Sequence, residues 1–141
     1  MSYLVDTNIY SAVIGEHPDA TIESWLEGNE TRVYTSAITI AKLGRGVQRM
    51  TPSRRRTKIA AGLEALIESM EDRILRFDTR AALAWAELYT RLERAGTLLP
   101  LADSYIAAIA KRHDLVVATD NTKDFDRAGI PTFNPFNPLE D

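Results

Sequence analysis

A short apolar run that ends on a carboxylate constrains this chain most. Leu4-Val5-Asp6-Thr7-Asn8 has the pattern of a buried strand that passes directly into polar, helix-starting residues. The pattern recurs. Arg32-Val33-Tyr34-Thr35 is β-branched and aromatic, and Ser36 after it can cap a helix carrying Ile38, Ile40, Leu43 and Val47. Ile74-Leu75-Arg76-Phe77 leads to Asp78 and Thr79, cap residues for an alanine-rich helix with Leu83, Trp85, Leu88, Tyr89 and Leu92 apolar, which Gly96 ends. Leu115-Val116-Val117-Ala118-Thr119 is the clearest strand and delivers Asp120, Asn121 and Asp124 beyond its end. A last short strand is expected near Pro131 to Phe133, before a Pro/Asn-rich tail. Strands alternating with helices predict an α/β fold, a three-layer α/β/α domain with a mostly parallel central sheet and right-handed crossovers.

The remaining stretches supply helices. A brief one around Thr7 to Val13 is stopped by Gly15 and Pro18, and the next starts near Asp19 with Ile22, Trp25 and Leu26 on one inward face. A long amphipathic helix after Pro52 carries Ile59, Leu63, Leu66, Ile67 and Met70, and another after Pro100 has Tyr105, Ile106 and Ile109 as its core face. Gly44 and Gly46 fall inside a helical stretch, where each costs about 1 kcal/mol relative to Ala. They predict close packing of that helix against another segment.

Composition narrows the class. At 141 residues the chain suits one domain, residues 1–141, large enough to bury a core without staples. No apolar run approaches the ~18 residues of a membrane span, and no basic-then-apolar leader opens the chain. Cysteine is absent, which excludes disulfides and thiolate metal sites. A soluble, cytoplasmic protein is expected. The net charge of −3 argues against a nonspecific nucleic-acid coat. Arg45, Arg49, Arg54, Arg55, Arg56 and Lys58 nevertheless gather around Pro52, either as a solvated face or as a docking patch for phosphates or an acidic partner.

Ligands of a parallel sheet collect at the carboxyl ends of its strands. Asp6 and Asp120 leave that edge together, and Asp103 lies in the first turn of the helix after Pro100. Each also has a structural explanation. Asp6 can cap a helix, Asp103 gains about 0.3 to 1 kcal/mol from a helix dipole, and the segment around Asp120 and Asp124 can be a polar turn. If the carboxylates converge, they form a hard-oxygen set suited to Mg²⁺ or Mn²⁺ rather than zinc. His17 and His113 lack ligand spacing, and no Ser/His/Asp nucleophilic set is present. Asn8, where an Asp-x-Asp phosphatase would carry its second acid, excludes aspartyl-phosphate chemistry.

Four stretches taken together, Leu4-Val5-Asp6-Thr7-Asn8, Ala37-Ile38-Thr39-Ile40-Ala41, Asp103-Ser104-Tyr105-Ile106-Ala107-Ala108 and Ala118-Thr119-Asp120-Asn121-Thr122-Lys123-Asp124-Phe125, resemble the PIN-domain ribonucleases, among them VapC-type and FitB-like toxins. The resemblance runs through Phe133-Asn134-Pro135 and so covers nearly the whole chain. It implies the toxin half of a toxin–antitoxin pair and Mg²⁺- or Mn²⁺-dependent hydrolysis of RNA phosphodiesters. It also implies homodimerisation, inhibition by a VapB-like antitoxin, and contact with operator DNA only through that antitoxin. The resemblance matches Asp6 to the first family acid, Asp103 to the third and the segment from Asp120 to Asp124 to the fourth, with Thr7, Asn8, Thr119 and Asn121 in support. One acid is missing: where the family carries Glu in a Thr-x-x-Glu-Leu motif, this chain has Thr39-Ile40-Ala41-Lys42-Leu43. Lys42 therefore implies a weakened or inactive nuclease, or a noncatalytic binding module that pairs with an antitoxin in a DNA-bound autoregulatory complex.

Overall fold

The computed structural model describes residues 1–138; the end of the Pro/Asn-rich tail, residues 139–141, lies outside them. Five short strands, β1 (Tyr3–Val5), β2 (Val33–Ser36), β3 (Ile74–Leu75), β4 (Val116–Ala118) and β5 (Thr132–Phe133), form one sheet in the order β3-β2-β1-β4-β5. Every neighbouring pair is parallel. Helices α1 (Thr7–Ser11), α2 (Ala20–Gly28), α3 (Ala37–Arg49), α4 (Arg54–Met70), α5 (Thr79–Ala95), α6 (Leu101–His113) and α7 (Thr122–Arg127) make the connections, with a 3-10 turn at Glu71–Arg73 before β3.

Strand alternation sorts the core into two layers. Leu4 and Val117 face a cluster with Leu88, Leu92, Ile106, Ile109 and Phe125 from α5, α6 and α7. Their neighbours Val5 and Ala118 face Ile9, Tyr10, Ile22 and Met70 from α1, α2 and α4. The sheet is therefore covered on both sides, the three-layer arrangement the sequence predicts. Starting at β1, the order advances outward through β2 and β3 on one side and through β4 and β5 on the other. The switch point falls between β1 and β4, where a crevice opens beyond the strand ends.

The helix starts follow the local sequence. Asp6, Asp19, Ser36, Ser53 and Asp78 each accept a hydrogen bond from a backbone N–H of the first turn that follows. Gly96 ends α5 in the left-handed conformation at φ 71°.

Other expectations are corrected. A Cβ at Gly44 or Gly46 would meet nothing within 4 Å, so α3 makes no close approach there. The tight contact is at Gly62 on α4, where a Cβ would lie 2.8 Å from Ile14 Cγ2. Leu83 is 66% exposed and is no part of the α5 core face. Trp25 does face inward as expected, half-buried against the core, stacked on Phe133 with ring centres 5.8 Å apart and edge-on to Tyr3. The third strand stops at Leu75, short of Phe77.

Candidate active site

The switch-point crevice is built by register. Val5 of β1 pairs with Ala118 of β4, and the Asp6 N–H continues the ladder to the Ala118 carbonyl at 2.9 Å. The next residues, Asp6 and Thr119, are thereby brought side by side beyond the strand ends. Thr119 donates its hydroxyl to Asp6 Oδ2 at 2.9 Å, and Asn8 Nδ2 donates to the same oxygen at 3.3 Å. Asp6 Oδ1 accepts the Thr7 N–H at 2.8 Å. Asp6 is thus both a helix cap and a cleft residue, and it is only 3% exposed. Burial raises its pKa above the ordinary carboxylate value, opposed by the bonds from Thr7 and Thr119; the charge of Asp103 raises it further and that of Lys42 lowers it.

Asn8 joins the two strand exits. Its amide nitrogen also donates to Thr119 Oγ1 at 3.2 Å, and its carbonyl oxygen accepts the Asp120 N–H at 3.3 Å. Thr119 Oγ1 accepts the Asn121 N–H at 3.0 Å. Asn121 in turn donates to Asp124 Oδ2 at 2.9 Å, and the other Asp124 oxygen takes Arg127. The Asn121 bond, with Arg127 in addition, holds the Asp124 carboxyl below its ordinary pKa.

Asp103 comes from the opposite wall. Its position in the first turn of α6 is fixed from behind by Trp85, whose Nε1 donates to Ser104 Oγ at 2.8 Å. At the end of β2, Ser36 caps α3 by accepting the Thr39 N–H at 3.0 Å, and one turn later Lys42 extends into the cleft. Lys42 Nζ lies 3.1 Å from Asp103 Oδ1, an ion pair whose side chains are 36% and 12% exposed.

A cleft of about 490 Å³ results, lined by Asp6, Thr7, Asn8, Ser11, Lys42, Asp103, Asp120 and Asn121. It brings together three of the four candidate acids with Thr7, Asn8 and Asn121. Thr119 is buried beneath it, and Asp124 is not among the lining residues, standing behind Asn121. Ser11 went unrecognised in the sequence, although it lies four residues after Thr7 on α1 and so shares its face. Arg45 and Arg49 are exposed on the second half of α3; Arg54, Arg55 and Arg56 form the first turn of α4.

Whether these residues fit a divalent cation is decided by their arrangement. Among the described residues no three His, Cys, Asp or Glu side chains stand close enough together to hold a metal ion. The ammonium of Lys42 already occupies one Asp103 oxygen, and three protein donors occupy the oxygens of Asp6. As placed, the cleft does not fit the cation that its carboxylates suggest.

The PIN domain family profile matches residues 3–131. The chain belongs to the PIN-domain family. A VapC ribonuclease of Sinorhizobium fredii is 36% identical over 138 residues, covering 96% of this chain and 98% of the relative. Toxin FitB of Neisseria gonorrhoeae is 35% identical over 136 residues, with 95% and 98% covered. Among solved structures, FitAcB from Neisseria gonorrhoeae superposes with a TM-score of 0.86 at 34% identity, covering 95% of this chain and 98% of that one. VapBC2 from Rickettsia felis, bound to a DNA fragment from its promoter, gives 0.81 at 28% identity, with 95% and 98% covered. This PIN domain is thus a homologue of VapC and FitB toxins over nearly its full length, with the five-stranded parallel sheet flanked by helices. Among its described residues no helix is long and apolar enough to cross a membrane.

Proposed function

We propose that this chain is the toxin half of a toxin–antitoxin pair, an endoribonuclease by architecture, with cleavage weakened by Lys42. The observation that carries this is the gathering of Asp6, Asp103 and Asp120 around one cleft at the switch point of a PIN sheet. Relatives of nearly equal length are named ribonucleases, which supports phosphodiester hydrolysis of RNA as the reaction. Asp6, Asp103 and Asp120 are its acids. Asn8, Thr7 and Thr119 hold Asp6 in place, and Asp124 acts through Asn121. Mg²⁺ or Mn²⁺ is the cofactor that carboxylate oxygens of this kind select. The placement of Lys42 opposes it.

The partner is a VapB-like antitoxin, supported by the solved relatives being toxin–antitoxin complexes, some of them bound to DNA. Operator DNA is reached through that antitoxin, the toxin pairs as a homodimer, and the setting is cytoplasmic. The exposed Arg45, Arg49, Arg54 and Arg55, with the half-buried Arg56, dock RNA or the antitoxin. Cations in the first turn of α4 oppose its helix dipole, a placement that an anionic partner would relieve.

The Lys42–Asp103 ion pair favours one second reading, a noncatalytic PIN module that keeps its antitoxin and its place in the DNA-bound complex. A gel assay on total RNA separates the two. Lys42→Glu is expected to cleave far faster than the unaltered chain, and adding Asp6→Ala is expected to abolish that cleavage. RNA left intact by Lys42→Glu, with antitoxin binding preserved, would establish the binding module instead.

A further inference from the structure

The cleft holds charge that must be balanced. Asp6 and Asp103 are both nearly buried, and the pair would repel each other without a nearby cation. That cation is present as part of the chain. Lys42 Nζ sits 3.1 Å from Asp103 Oδ1 and lines the same cleft as Asp6. The neutral donors divide the work with it: Thr7, Asn8 and Thr119 satisfy Asp6, which leaves the ammonium to serve Asp103. Lys42 is also fixed from the backbone, one turn beyond the buried Ser36–Thr39 hydrogen bond at the start of α3. We propose that Lys42 is the resident cation of this cleft, taking beside Asp103 the electrostatic place of a divalent ion, so that the chain keeps its fold and partner surface without metal and binds divalent cations poorly.

This deepens the reading of the cleft as a PIN nuclease site and rests on it. An ammonium carries a single charge and has no Lewis-acid coordination site, so it can balance Asp103 without polarising a water or a phosphate as a divalent ion would. It also repels an incoming Mn²⁺ at a distance where Coulomb energies stay large even at a surface-like dielectric.

The test is calorimetric titration with Mn²⁺, joined to thermal melting with and without the ion, on the unaltered chain, Lys42→Met, Lys42→Glu and Lys42→Arg. The unaltered chain and Lys42→Arg are expected to bind Mn²⁺ weakly and to melt at the same temperature with and without it. Lys42→Met is expected to melt lower without metal, to regain the loss with Mn²⁺ and to bind it at least about tenfold more tightly, with Lys42→Glu tighter still. Mn²⁺ binding by the unaltered chain as tight as by Lys42→Glu would overturn the proposal, and so would metal-free Lys42→Met melting like the unaltered chain. The nuclease reading fails separately. Lys42→Glu that gains Mn²⁺ without cleaving RNA upholds the resident cation and removes the ribonuclease, whereas tight Mn²⁺ binding and RNA cleavage by the unaltered chain do the reverse.

Discussion

Thr119 donates its hydroxyl to Asp6 Oδ2 at 2.9 Å, tying the end of β4 to the end of β1 across 113 positions of sequence. Thr119 is fully buried, so its hydroxyl has no water to replace that partner. Thr119→Val keeps the shape and removes the donor from a buried carboxylate, a loss worth about 1 to 3 kcal/mol, or roughly 3 to 10 °C in Tm. Thr119→Ser keeps the hydroxyl and is expected to lose less than half as much. Denaturant unfolding of both variants checks the difference.

The glycines of α3 and α4 call for opposite signs. A methyl at Gly62 meets Ile14 Cγ2 at 2.8 Å, a branch carbon bonded directly to Cβ that can move aside only by a χ1 rotation carrying Cγ1 with it. Gly62→Ala gains about 1 kcal/mol of helix propensity but loses about 1 to 3 through overpacking, and a net destabilisation is expected. Gly44→Ala and Gly46→Ala meet open space and are each expected to stabilise by about 0.5 to 1 kcal/mol. Thermal melts of the three single variants would reverse the argument if Gly62→Ala proved the most stable.

The contrast between those glycines marks how far the sequence carries. Caps were legible at Asp6, Ser36 and Asp78 because a cap bonds an N–H one to three residues away, so the signal is local. The strands were legible because residues with both faces buried form short apolar runs, as at Val116–Ala118. Contacts across the fold were not. A glycine announces permissive backbone but not its neighbour, so nothing local sets Gly62 apart from Gly44 and Gly46. Leu83 fits the apolar spacing of α5 yet lies 66% exposed, since spacing cannot state where the facing layer ends. At the cleft, the strand-end rule pointed to Asp6 and Asp120, while the meeting of Lys42 with Asp103, 61 residues apart, depends on how α3 packs against α6. Asp124 looked equivalent to Asp120 in sequence. The turn of α7 directs it to Asn121 and Arg127 instead.

Asp78 gives the chain a measurable acid dependence. Its side chain accepts the Ala81 N–H at 2.9 Å, and that bond, with the charges of Arg112, His113 and Arg76, lowers its pKa below the ordinary carboxylate value. A carboxyl whose folded pKa is depressed contributes stability that is present above its unfolded pKa and is lost as pH falls through the folded one. Asp78→Ala is therefore expected to melt below the unaltered chain at neutral pH, with the gap narrowing once pH falls below that ordinary value. Asp78→Asn, which keeps the cap without the charge, should show a smaller gap at neutral pH. Melting curves that stay parallel down the acid range would reject the assignment.

The arginines at the start of α4 make the last prediction. Arg54 and Arg55 are exposed and Arg56 is half-buried, and among the described residues none of the three forms an ion pair. All three sit where the helix dipole disfavours cations, so replacing them should not weaken α4. Neutralising the three to Gln is expected to leave Tm unchanged or slightly higher while weakening RNA binding. If each had neutralised one phosphate of a single strand, the slope of log K against log salt would fall in magnitude by up to about 2. The same variant should bind the antitoxin more weakly if the antitoxin uses this patch. Unchanged affinity for both partners across a salt series would remove the patch from the binding surface and leave it a solvated face.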